Sequence, residues 1–527
     1  MQQSDMILEK QMRWATWGLL ILTVLVYSRT ITCGYIWDDD YYVTHNSVLT
    51  SGLDGLSDAW FKPGSTPQYY PLVFTTFWVE HQLWGLWAGG YHFVNVLLHG
   101  LSAMVLVSVL RRIGLNFWPA WLTAALFAIH PVHVESVAWI TERKNVLSGL
   151  CYLSAAWCYL NFDSRREGRF WVGAFLLFFC ALLSKTVACT LPAALLLYIW
   201  YKRGKITVKD IVPTLPFWII GIAMGLFTVY MEKTHVGASG SEWQLNAIER
   251  FLLSGRVLAF YACKLVWPNP LIFTYPKWQI DASVWWQWAI TFAVLMILGI
   301  QVARAIQTHR RGRTFALLFF AGTLFPALGF FDVFPFTYSY VADHFQYLAS
   351  LGILTLIAIA LSRKPRLALL VVVIFSVVTV QQIGAYKDAK TLWIDTIAKN
   401  PDAWMAHTNL GVIHIQEGDE ASAIASFERA LQIKPDYAEA LANMGAIAIL
   451  HQRYEEAHAW LSKALASRDN FYRAHLNMAL VQTQLGNRDK AIEHYQKALA
   501  IRDDQDVRNL MHQIENTTDS QLPIKAD

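Results

Sequence analysis

Charged residues are scarce in this 527-residue chain, at 16% of the total, and the formal net charge is only +4. A soluble globular protein carries about 25% charged residues. Hydrophobic residues make up 55% of the chain and aromatic residues 14%. This composition excludes a disordered or fibrous protein and an ordinary cytosolic domain, and it favours many membrane spans. The small net charge gives no argument for nucleic acid as a partner.

Cysteine is also scarce, and its six copies lack metal-ligand spacing. All six lie in or beside apolar segments, where a thiol behaves as a small buried hydrophobe. They are Cys33, Cys151, Cys158, Cys180, Cys189 and Cys263. No cysteine follows Cys263, so the C-terminal part of the chain needs no disulfide.

Long apolar runs recur before residue 385, and charged residues and alanine take over after it. Each run approaches the roughly 20 residues with which a helix crosses a bilayer. The first run lacks a small-residue cleavage site and is expected to be a retained anchor. Residues 251–267 are shorter and contain Arg256 and Lys264, which favours an interfacial or re-entrant helix. The predicted spans are 14–36, 91–110, 118–138, 145–162, 170–184, 187–201, 213–231, 284–302, 314–331, 345–361 and 367–385.

Five short loops between these spans hold 16 basic residues, whereas the loops on the opposite side are far longer and hold fewer. The positive-inside rule places the basic loops in the cytoplasm. Eleven crossings then put the N-terminus inside and everything after residue 385 outside. The basic residues are Arg111, Arg112, Arg165, Arg166, Arg169, Lys202, Arg203, Lys205, Lys209, Arg304, Arg310, Arg311, Arg313, Arg363, Lys364 and Arg366.

The C-terminal part is an array of repeats with a period of 34 residues. Small residues at fixed positions let paired helices approach, and bulky ones fill the space between them. This pattern resembles tetratricopeptide repeats, which form a concave groove for peptides or partner proteins. We assign residues 386–516 to the repeats and predict a disordered tail over 517–527. The matching positions are Asn409, Asn443 and Asn477; Gly411, Gly445 and Ala479; Ala423, Ala457 and Ala491; Phe427, Leu461 and Tyr495; and Ala430, Ala464 and Ala498.

The longest predicted outer loop, residues 37–90, begins with three adjacent carboxylates, Asp38, Asp39 and Asp40. Like charges this close repel one another, which raises the pKa of one carboxyl group or collects a cation. We interpret Asp38 or Asp39 as a general base that faces an apolar cleft. The alternative is a solvated acidic start of a loop. A divalent cation is a possible cofactor, and the sequence establishes none.

A second polar cluster, the string IHPVHVESVAWITERKN, lies at the outer end of the third predicted span. Ionisable groups at a membrane edge are costly and usually face a cavity or a partner. The adjacent Arg143 and Lys144 suit a phosphate head group. Snorkelling with local salt bridges is the alternative. A zinc site is less favoured, because the pattern is not HExxH. The cluster comprises His130, His133, Glu135, Glu142, Arg143 and Lys144.

Isolated polar residues interrupt three further apolar segments. His92 shares one helix face with Asn95 and His99, which favours hydrogen bonds inside the bundle over direct catalysis. Lys185, in LLSKTVACTLP, either neutralises a lipid phosphate or snorkels to the surface. Asp343, in VADHFQYLAS, either caps a helix or supports a site.

Together these strings carry a resemblance to a known family. From about residue 30 to residue 510, the chain closely resembles bacterial and animal multi-span proteins with tetratricopeptide repeats on their outer side. The animal members are the transmembrane and tetratricopeptide-repeat O-mannosyltransferases, within the GT-C glycosyltransferases. The strings are GYIWDDDYYVTHN, YYPLVFTTFWVEHQLWGLWAGGYHFVNVLLHG, LFAIHPVHVESVAWITERKNVLSG, LLSKTVACTLP and VADHFQYLAS.

The resemblance implies an all-α fold, with a GT-C-like bundle of about 11 spans over residues 1–385 and an α-solenoid of repeats after it. It also implies a polyprenyl-phosphate-linked sugar donor, which is mannose for the animal members, and a hydroxyl acceptor. By the same resemblance, Asp38 and Asp39 match the family's paired acids, and Asp40 is a departure from its pattern. The other matching residues are His130, His133, Glu135 and Arg143 in the second motif, Lys144 and Lys185 of the bacterial branch, and the acidic Asp343.

The leading hypothesis is therefore a membrane glycosyltransferase that modifies a periplasmic or secreted hydroxyl, with protein Ser or Thr favoured. Its predicted partners are the lipid-linked sugar, membrane lipid and a protein bound through the repeats. The predicted location is a bacterial cytoplasmic membrane, with the repeats in the periplasm. One alternative is a membrane-anchored scaffold, although an anchor needs only one span. Another is a transporter of lipid-linked sugars, which would place polar groups near the bilayer midplane.

Overall fold

The computed structural model describes residues 2–232 and 245–516, and its regular elements in these ranges are all helical. The chain divides into two compact units, Met1–Leu392 and Trp393–Asp527. The tail predicted over 517–527 lies outside the described residues.

The first unit is a helical bundle joined by short turns. Its helices of ten or more residues are Gln2–Val26, Gly52–Phe61, Pro71–Trp84, Ala88–Ile113, Phe117–Ile129, Arg143–Arg165, Gly168–Leu182, Leu191–Arg203, Leu215–Met231, Ala247–Val266, Trp285–Thr308, Gly312–Thr323, Ser350–Leu361 and Pro365–Ile383. Its shorter α-helices are Ser47–Thr50, Val134–Ala138 and Val208–Ile211, and a π-helical turn covers Asp40–Thr44. Short 3₁₀ turns cover Ser28–Thr32, Pro131–His133, Ile140–Glu142, Thr186–Thr190, Val212–Thr214, Phe325–Ala327, Phe334–Thr337, Asp343–Gln346 and Gly384–Tyr386.

Four helices of the described residues are long and apolar enough to cross a membrane, namely Ala88–Ile113, Val208–Met231, Trp285–Thr308 and Pro365–Tyr386. Shorter apolar helices in the first unit are Phe117–Ile129, Gly168–Leu182 and Ser350–Leu361. Over the described residues the protein is thus all-helical and contains membrane-type helices, and the total of about 11 spans stays a prediction.

Three predicted spans extend well beyond their helices. Span 314–331 is a helix only to Thr323, and Pro326 follows three residues later. Span 118–138 is a helix only to Ile129, because His130 is extended and Pro131 lacks the N–H that would continue the helical ladder. Span 14–36 ends at Val26. The hydroxyls of Ser28, Thr30 and Thr32 donate to nearby carbonyls there and favour a tighter turn.

Residues 251–267 belong to one continuous helix, Ala247–Val266. Asn246 and Glu249 form a capping box at its start, in which each side chain accepts from the other residue's backbone N–H. The helix packs against Trp285–Thr308. Its placement relative to a membrane stays a prediction.

Helix Ala88–Ile113 lies at the centre of the first unit, where it packs against Gln2–Val26, Phe117–Ile129 and Arg143–Arg165. The break at Pro131 folds the following segment back into the bundle. Residues 122–149 are buried without interruption as a result. This segment carries most of the polar residues of the second motif, so they lie inside the protein and must find partners there.

Helix Ala389–Lys399 crosses the boundary between the units, and the second unit continues with Trp404–Gln416, Glu420–Ile433, Ala438–Leu450, Tyr454–Ser467, Tyr472–Gln484, Arg488–Ile501 and Gln505–Asn516. These helices pack as successive antiparallel pairs. A Cβ on Gly411 would lie 2.6 Å from the Phe427 ring, and one on Gly445 would lie 2.8 Å from Leu461. The small and bulky positions of the 34-residue period therefore face each other within each pair.

Candidate active site

The acidic start of the first loop is held by an unusual backbone at Trp37. Its φ is +45°, a left-handed conformation that a bulky residue adopts only when its surroundings impose it. The Trp37 ring stacks on Trp139 with ring centroids 5.4 Å apart and meets Phe273 edge-on. This turn sends the carboxylates of Asp38 and Asp39 to different partners.

Asp39 is fully buried and ties two distant segments together. One of its carboxylate oxygens accepts the backbone N–H of Ile36 at 2.9 Å. The other accepts the backbone N–H and the hydroxyl of Thr141 at 2.8 and 2.6 Å. Burial and the neighbouring Asp38 raise the pKa of Asp39 to about 8, although these three donors oppose the rise. Both oxygens are occupied by the protein itself.

Asp38 remains partly accessible to solvent and has a different environment. Its Oδ1 accepts the indole N–H of Trp139 at 3.1 Å. Burial raises the pKa of Asp38 to about 6, with Lys144 lowering it and Glu142 raising it. A carboxylate with this pKa, in a residue that solvent partly reaches, suits a general base near neutral pH.

Asp40 points away from these contacts. Its side chain is 57% exposed and lies 4.0 Å from His45 Nδ1. The Thr44 hydroxyl donates to it at 2.7 Å. The structure therefore distinguishes the three adjacent acids as one accessible in the site, one buried and one on the surface.

Glu142 organises the basic half of the site. Its Oε1 lies 3.0 Å from Lys144 Nζ, and its Oε2 accepts from Lys185 Nζ at 3.1 Å. Burial alone would raise the pKa of Glu142, but His344, Lys144 and Lys185 hold it well below its usual range. One carboxylate thus holds two ammonium groups that lie far apart in the sequence.

The two lysines respond to burial differently. Burial lowers the pKa of Lys144, but Glu142 and neighbouring oxygens outweigh it and raise that pKa well above the usual value. For Lys185, burial dominates and lowers the pKa to about 8, with Glu142 opposing the change. Their side chains are 10% and 15% exposed. Lys144 Nζ also lies 5.6 Å from the centre of the Trp139 ring, whose N–H donates to Asp38. Trp139 therefore contacts both Asp38 and Lys144.

Arg143, expected at a donor phosphate, is fully buried in this structure. Its Nε donates to Asn95 and its Nη2 to Glu80 and the Tyr91 carbonyl. Its Nη1 donates to Thr76 at 3.1 Å and to Glu80. A guanidinium group has five N–H donors, and these contacts use all of them.

Glu135 is linked to Glu142 through the imidazole of His344. Its Oε1 lies 2.9 Å from His344 Nδ1, and its Oε2 accepts the His344 backbone N–H at 3.1 Å. His344 Nε2 is 3.9 Å from Glu142. The imidazole therefore lies between two carboxylates and connects Glu135 to the residue that holds the lysines.

The other candidate residues contact different groups. His92 Nε2 is 3.4 Å from the Gly34 carbonyl, and His130 Nε2 is 3.1 Å from the Leu265 carbonyl. His133 Nε2 lies 3.3 Å from the Ser350 hydroxyl. Asp343 accepts the Tyr275 hydroxyl at 3.1 Å. In the described residues, no group of three or more His, Cys, Asp or Glu side chains is arranged to hold a metal ion, so the divalent cation stays a prediction.

The sequence pattern does not predict the roles of two acids that shape this site. Glu142 appears there only as one member of a dense polar string, although it holds both lysines. Glu80 belongs to none of the predicted clusters. It is the only acidic residue of helix Pro71–Trp84, which is otherwise largely apolar, and a lone acid in such a helix predicts a buried partner.

Comparisons with known proteins find family models for the C-terminal repeats and relatives of the chain. Family models described as tetratricopeptide repeat match residues 381–438, 414–471 and 472–505. The chain is 32% identical over 181 residues to protein O-mannosyl-transferase Tmtc1 of Drosophila melanogaster, which covers 33% of this chain and 21% of that protein. It is 29% identical over 208 residues to TMTC2 of Homo sapiens, covering 37% of this chain and 25% of that protein.

A longer match joins the chain to protein O-mannosyl-transferase F38B6.6 of Caenorhabditis elegans. It is 24% identical over 449 residues and covers 80% of this chain and 63% of that protein. The matches to the first two relatives span only about a fifth to a quarter of their length. The chain is therefore a relative of the TMTC-type protein O-mannosyl-transferases, with tetratricopeptide repeats in its C-terminal unit.

Proposed function

We propose that this chain is a membrane glycosyltransferase that moves a sugar from a polyprenyl-phosphate donor to a hydroxyl of a protein. One observation carries the proposal. Trp139 donates its indole N–H to Asp38 and lies beside Lys144, and Glu142 holds Lys144 and Lys185 together, so a candidate base and two ammonium groups share one site. The relatives are named protein O-mannosyl-transferases, which supports transfer to protein and favours mannose as the sugar.

The proposed chemistry uses Asp38 as general base. Asp38 takes the proton of the acceptor hydroxyl while that oxygen forms a bond to the anomeric carbon. The bond between the anomeric carbon and the phosphate oxygen breaks, and its electron pair leaves with the polyprenyl phosphate. General base assistance of this kind typically contributes about 10²–10⁴-fold to a rate.

The leaving phosphate gains one negative charge in this step. Lys144 and Lys185 stabilise that charge, because preformed charges in a partly buried site act more strongly than they would in water. Glu142 positions both ammonium groups before the donor arrives. His344 and Glu135 fix Glu142 from behind, and Arg143 supports the segment from the interior.

Asp39 has a positioning role in this proposal. Its bonds to Ile36 and Thr141 hold the loop that carries Asp38 against the segment that carries Lys144. The repeats bind or orient the protein acceptor. The basic loops face the cytoplasm, and the acid site and the repeats lie on the opposite side of the membrane. No step is assigned to a divalent cation.

The test is a transfer assay with the purified full chain, a polyprenyl-phosphate mannose and a Ser/Thr-rich peptide, read by peptide mass. We expect one hexose to be added by the wild type and none by Asp38→Asn. Asp40→Asn is the matched control, because it removes a neighbouring carboxylate that points to solvent, and it should transfer normally. Transfer from a nucleotide sugar but not from the lipid donor would overturn the donor assignment. Equal transfer by wild type and Asp38→Asn would overturn the proposed base.

A further inference from the structure

A cavity of about 840 Å³ opens at the other end of the first unit from the candidate active site. The candidate active site lies at the starts of helices Ala88–Ile113, Arg143–Arg165 and Ser350–Leu361, whereas the mouth of this cavity lies at their ends, beside Ile113, Leu160 and Arg363. From Tyr91 to Ile113 the first helix rises about 33 Å at 1.5 Å per residue. The mouth of the cavity is therefore far from Asp38 and Lys144, whereas its inner end reaches Leu351.

Away from its arginines, the wall of this cavity is mostly apolar. It is formed by side chains such as Leu106, Leu110, Leu153, Leu195 and Phe319. The cavity extends along helix Ser350–Leu361 from Leu351 to Ala360, which is about 14 Å at 1.5 Å per residue. One leaflet of a bilayer has a hydrocarbon depth of about 15 Å. The cavity therefore has the depth of a chain that belongs to one leaflet.

Four arginines line the mouth of this apolar cavity, namely Arg304, Arg310, Arg313 and Arg363. All four are exposed, and in the described part of the chain none has a carboxylate within ion-pair distance. Other cations at the same end do have one. Arg203, for example, pairs with Asp163 and Asp210. Positive charge at the mouth is thus uncompensated by the protein itself.

A helix terminus adds to this charge. Helix Gly312–Thr323 begins at the mouth, and its N-cap residue Arg311 makes no side-chain capping bond. The free N–H groups of a first helical turn favour an anion. Arginine is also the side chain best suited to bind a phosphate with two parallel hydrogen bonds.

We propose that this cavity binds one anionic phospholipid, with an acyl chain in the apolar groove and the phosphate on the four arginines. Charge complementarity selects the head group, and the depth of the groove selects a lipid of a single leaflet. The long chain of a polyprenyl phosphate exceeds this depth, and a phosphate held here lies far from Asp38 and Lys144. The proposal does not depend on the transferase activity.

The test counts lipids on the purified, delipidated full chain by native mass spectrometry. The probes are phosphatidylglycerol and phosphatidylcholine with the same palmitoyl and oleoyl chains. We expect the wild type to bind phosphatidylglycerol about ten-fold more tightly, the scale set by several arginines at a lipid head group. Changing Arg304, Arg310, Arg313 and Arg363 to Gln together should abolish this preference.

A matched control removes the same charge from the same end, by changing Arg111, Arg112, Lys364 and Arg366 to Gln. None of these residues lines the cavity, so the preference should remain. A second variant, Ala156→Phe with Ala194→Phe, fills the groove and keeps every charge; it should lose one bound lipid of either kind. Loss of the preference in the matched control would overturn the proposal, as would unchanged binding in the filled variant. Displacement of phosphatidylglycerol by equimolar polyprenyl phosphate would also overturn the phospholipid as occupant.

Discussion

Arg143 and Glu80 form an ion pair sealed inside the first unit, with side-chain exposures of 0% and 5%. We expect Arg143→Gln to lower the free energy of unfolding by roughly 3–5 kcal/mol, because the Glu80 carboxylate is left buried without its partner. Thermal unfolding in detergent, followed by tryptophan fluorescence, measures the change. Adding Glu80→Gln should recover part of the loss. A folded Arg143→Gln variant of normal stability that has lost only its use of donor would instead place Arg143 at the donor phosphate.

The two adjacent acids Asp38 and Asp39 should separate catalysis from stability. Asp38→Asn should reduce the transfer rate about 100-fold or more with little effect on unfolding, because it removes the proposed base from an accessible position. Asp39→Asn should lower the free energy of unfolding by roughly 1–3 kcal/mol. The amide NH₂ of asparagine cannot accept a hydrogen bond, so it would leave either the Ile36 N–H or the N–H and hydroxyl of Thr141 without an acceptor. Rates and unfolding midpoints of both variants test this. The opposite pattern would exchange the two roles.

The pH dependence of transfer follows from two shifted groups. The raised pKa of Asp38, about 6, means that the base form appears as pH rises through 6, so the rate rises there. The lowered pKa of Lys185, about 8, means that its charge is lost as pH rises through 8, so the rate falls there. We expect a bell-shaped profile of kcat/KM between these values. Lys185→Arg keeps the charge at high pH and should remove the falling limb. A falling limb that persists in Lys185→Arg would exclude Lys185 as its source.

Gly352 marks a close approach between two helices of the first unit. A Cβ there would lie 2.3 Å from the backbone carbonyl oxygen of Ala316, which cannot move without its helix. Gly352→Ala should lower the free energy of unfolding by about 1–3 kcal/mol through overpacking. Gly322→Ala is the matched control, since nothing lies within 4 Å of its new Cβ. Equal unfolding midpoints for the two variants would contradict the close contact.

The repeats should matter for whole proteins more than for short peptides. Deleting residues 402–527 should leave transfer to a short peptide within about two-fold, because solenoids of repeats are stabilised chiefly by contacts between neighbouring repeats. Transfer to a folded native acceptor should fall strongly. Parallel assays of both acceptors with one lipid donor measure the split. An equal loss on both, with the membrane unit still folded, would remove the proposed role in acceptor binding.

Local patterns predicted the architecture well where contacts repeat at short range. The 34-residue period identified the facing positions Gly411 and Phe427, because each repeat packs mainly on its neighbours. Pro131 cannot continue a helix, so it indicates that the third span ends near Ile129. The apolar residues that follow Pro131 favour a longer span and outweighed this signal in the prediction.

The division of roles among the site residues depends on contacts that sequence spacing does not contain. Asp38 and Asp39 are adjacent, and only the distant Thr141 and Trp139 give them different surroundings. Arg143 and Lys144 are adjacent too, and only Glu80 on another helix draws one of them into the interior. Neighbouring residues of the same type diverged because the fold gave them different partners.

The bridge from Asp39 to Thr141 also determines when the site is assembled. It closes a loop of about one hundred residues around the first half of the bundle, so the carboxylate of Asp38 and the ammonium of Lys144 reach their positions during folding. Neither substrate has to draw them together. The site is ordered once, when the chain folds, so each catalytic cycle begins with Asp38 and Lys144 already in position.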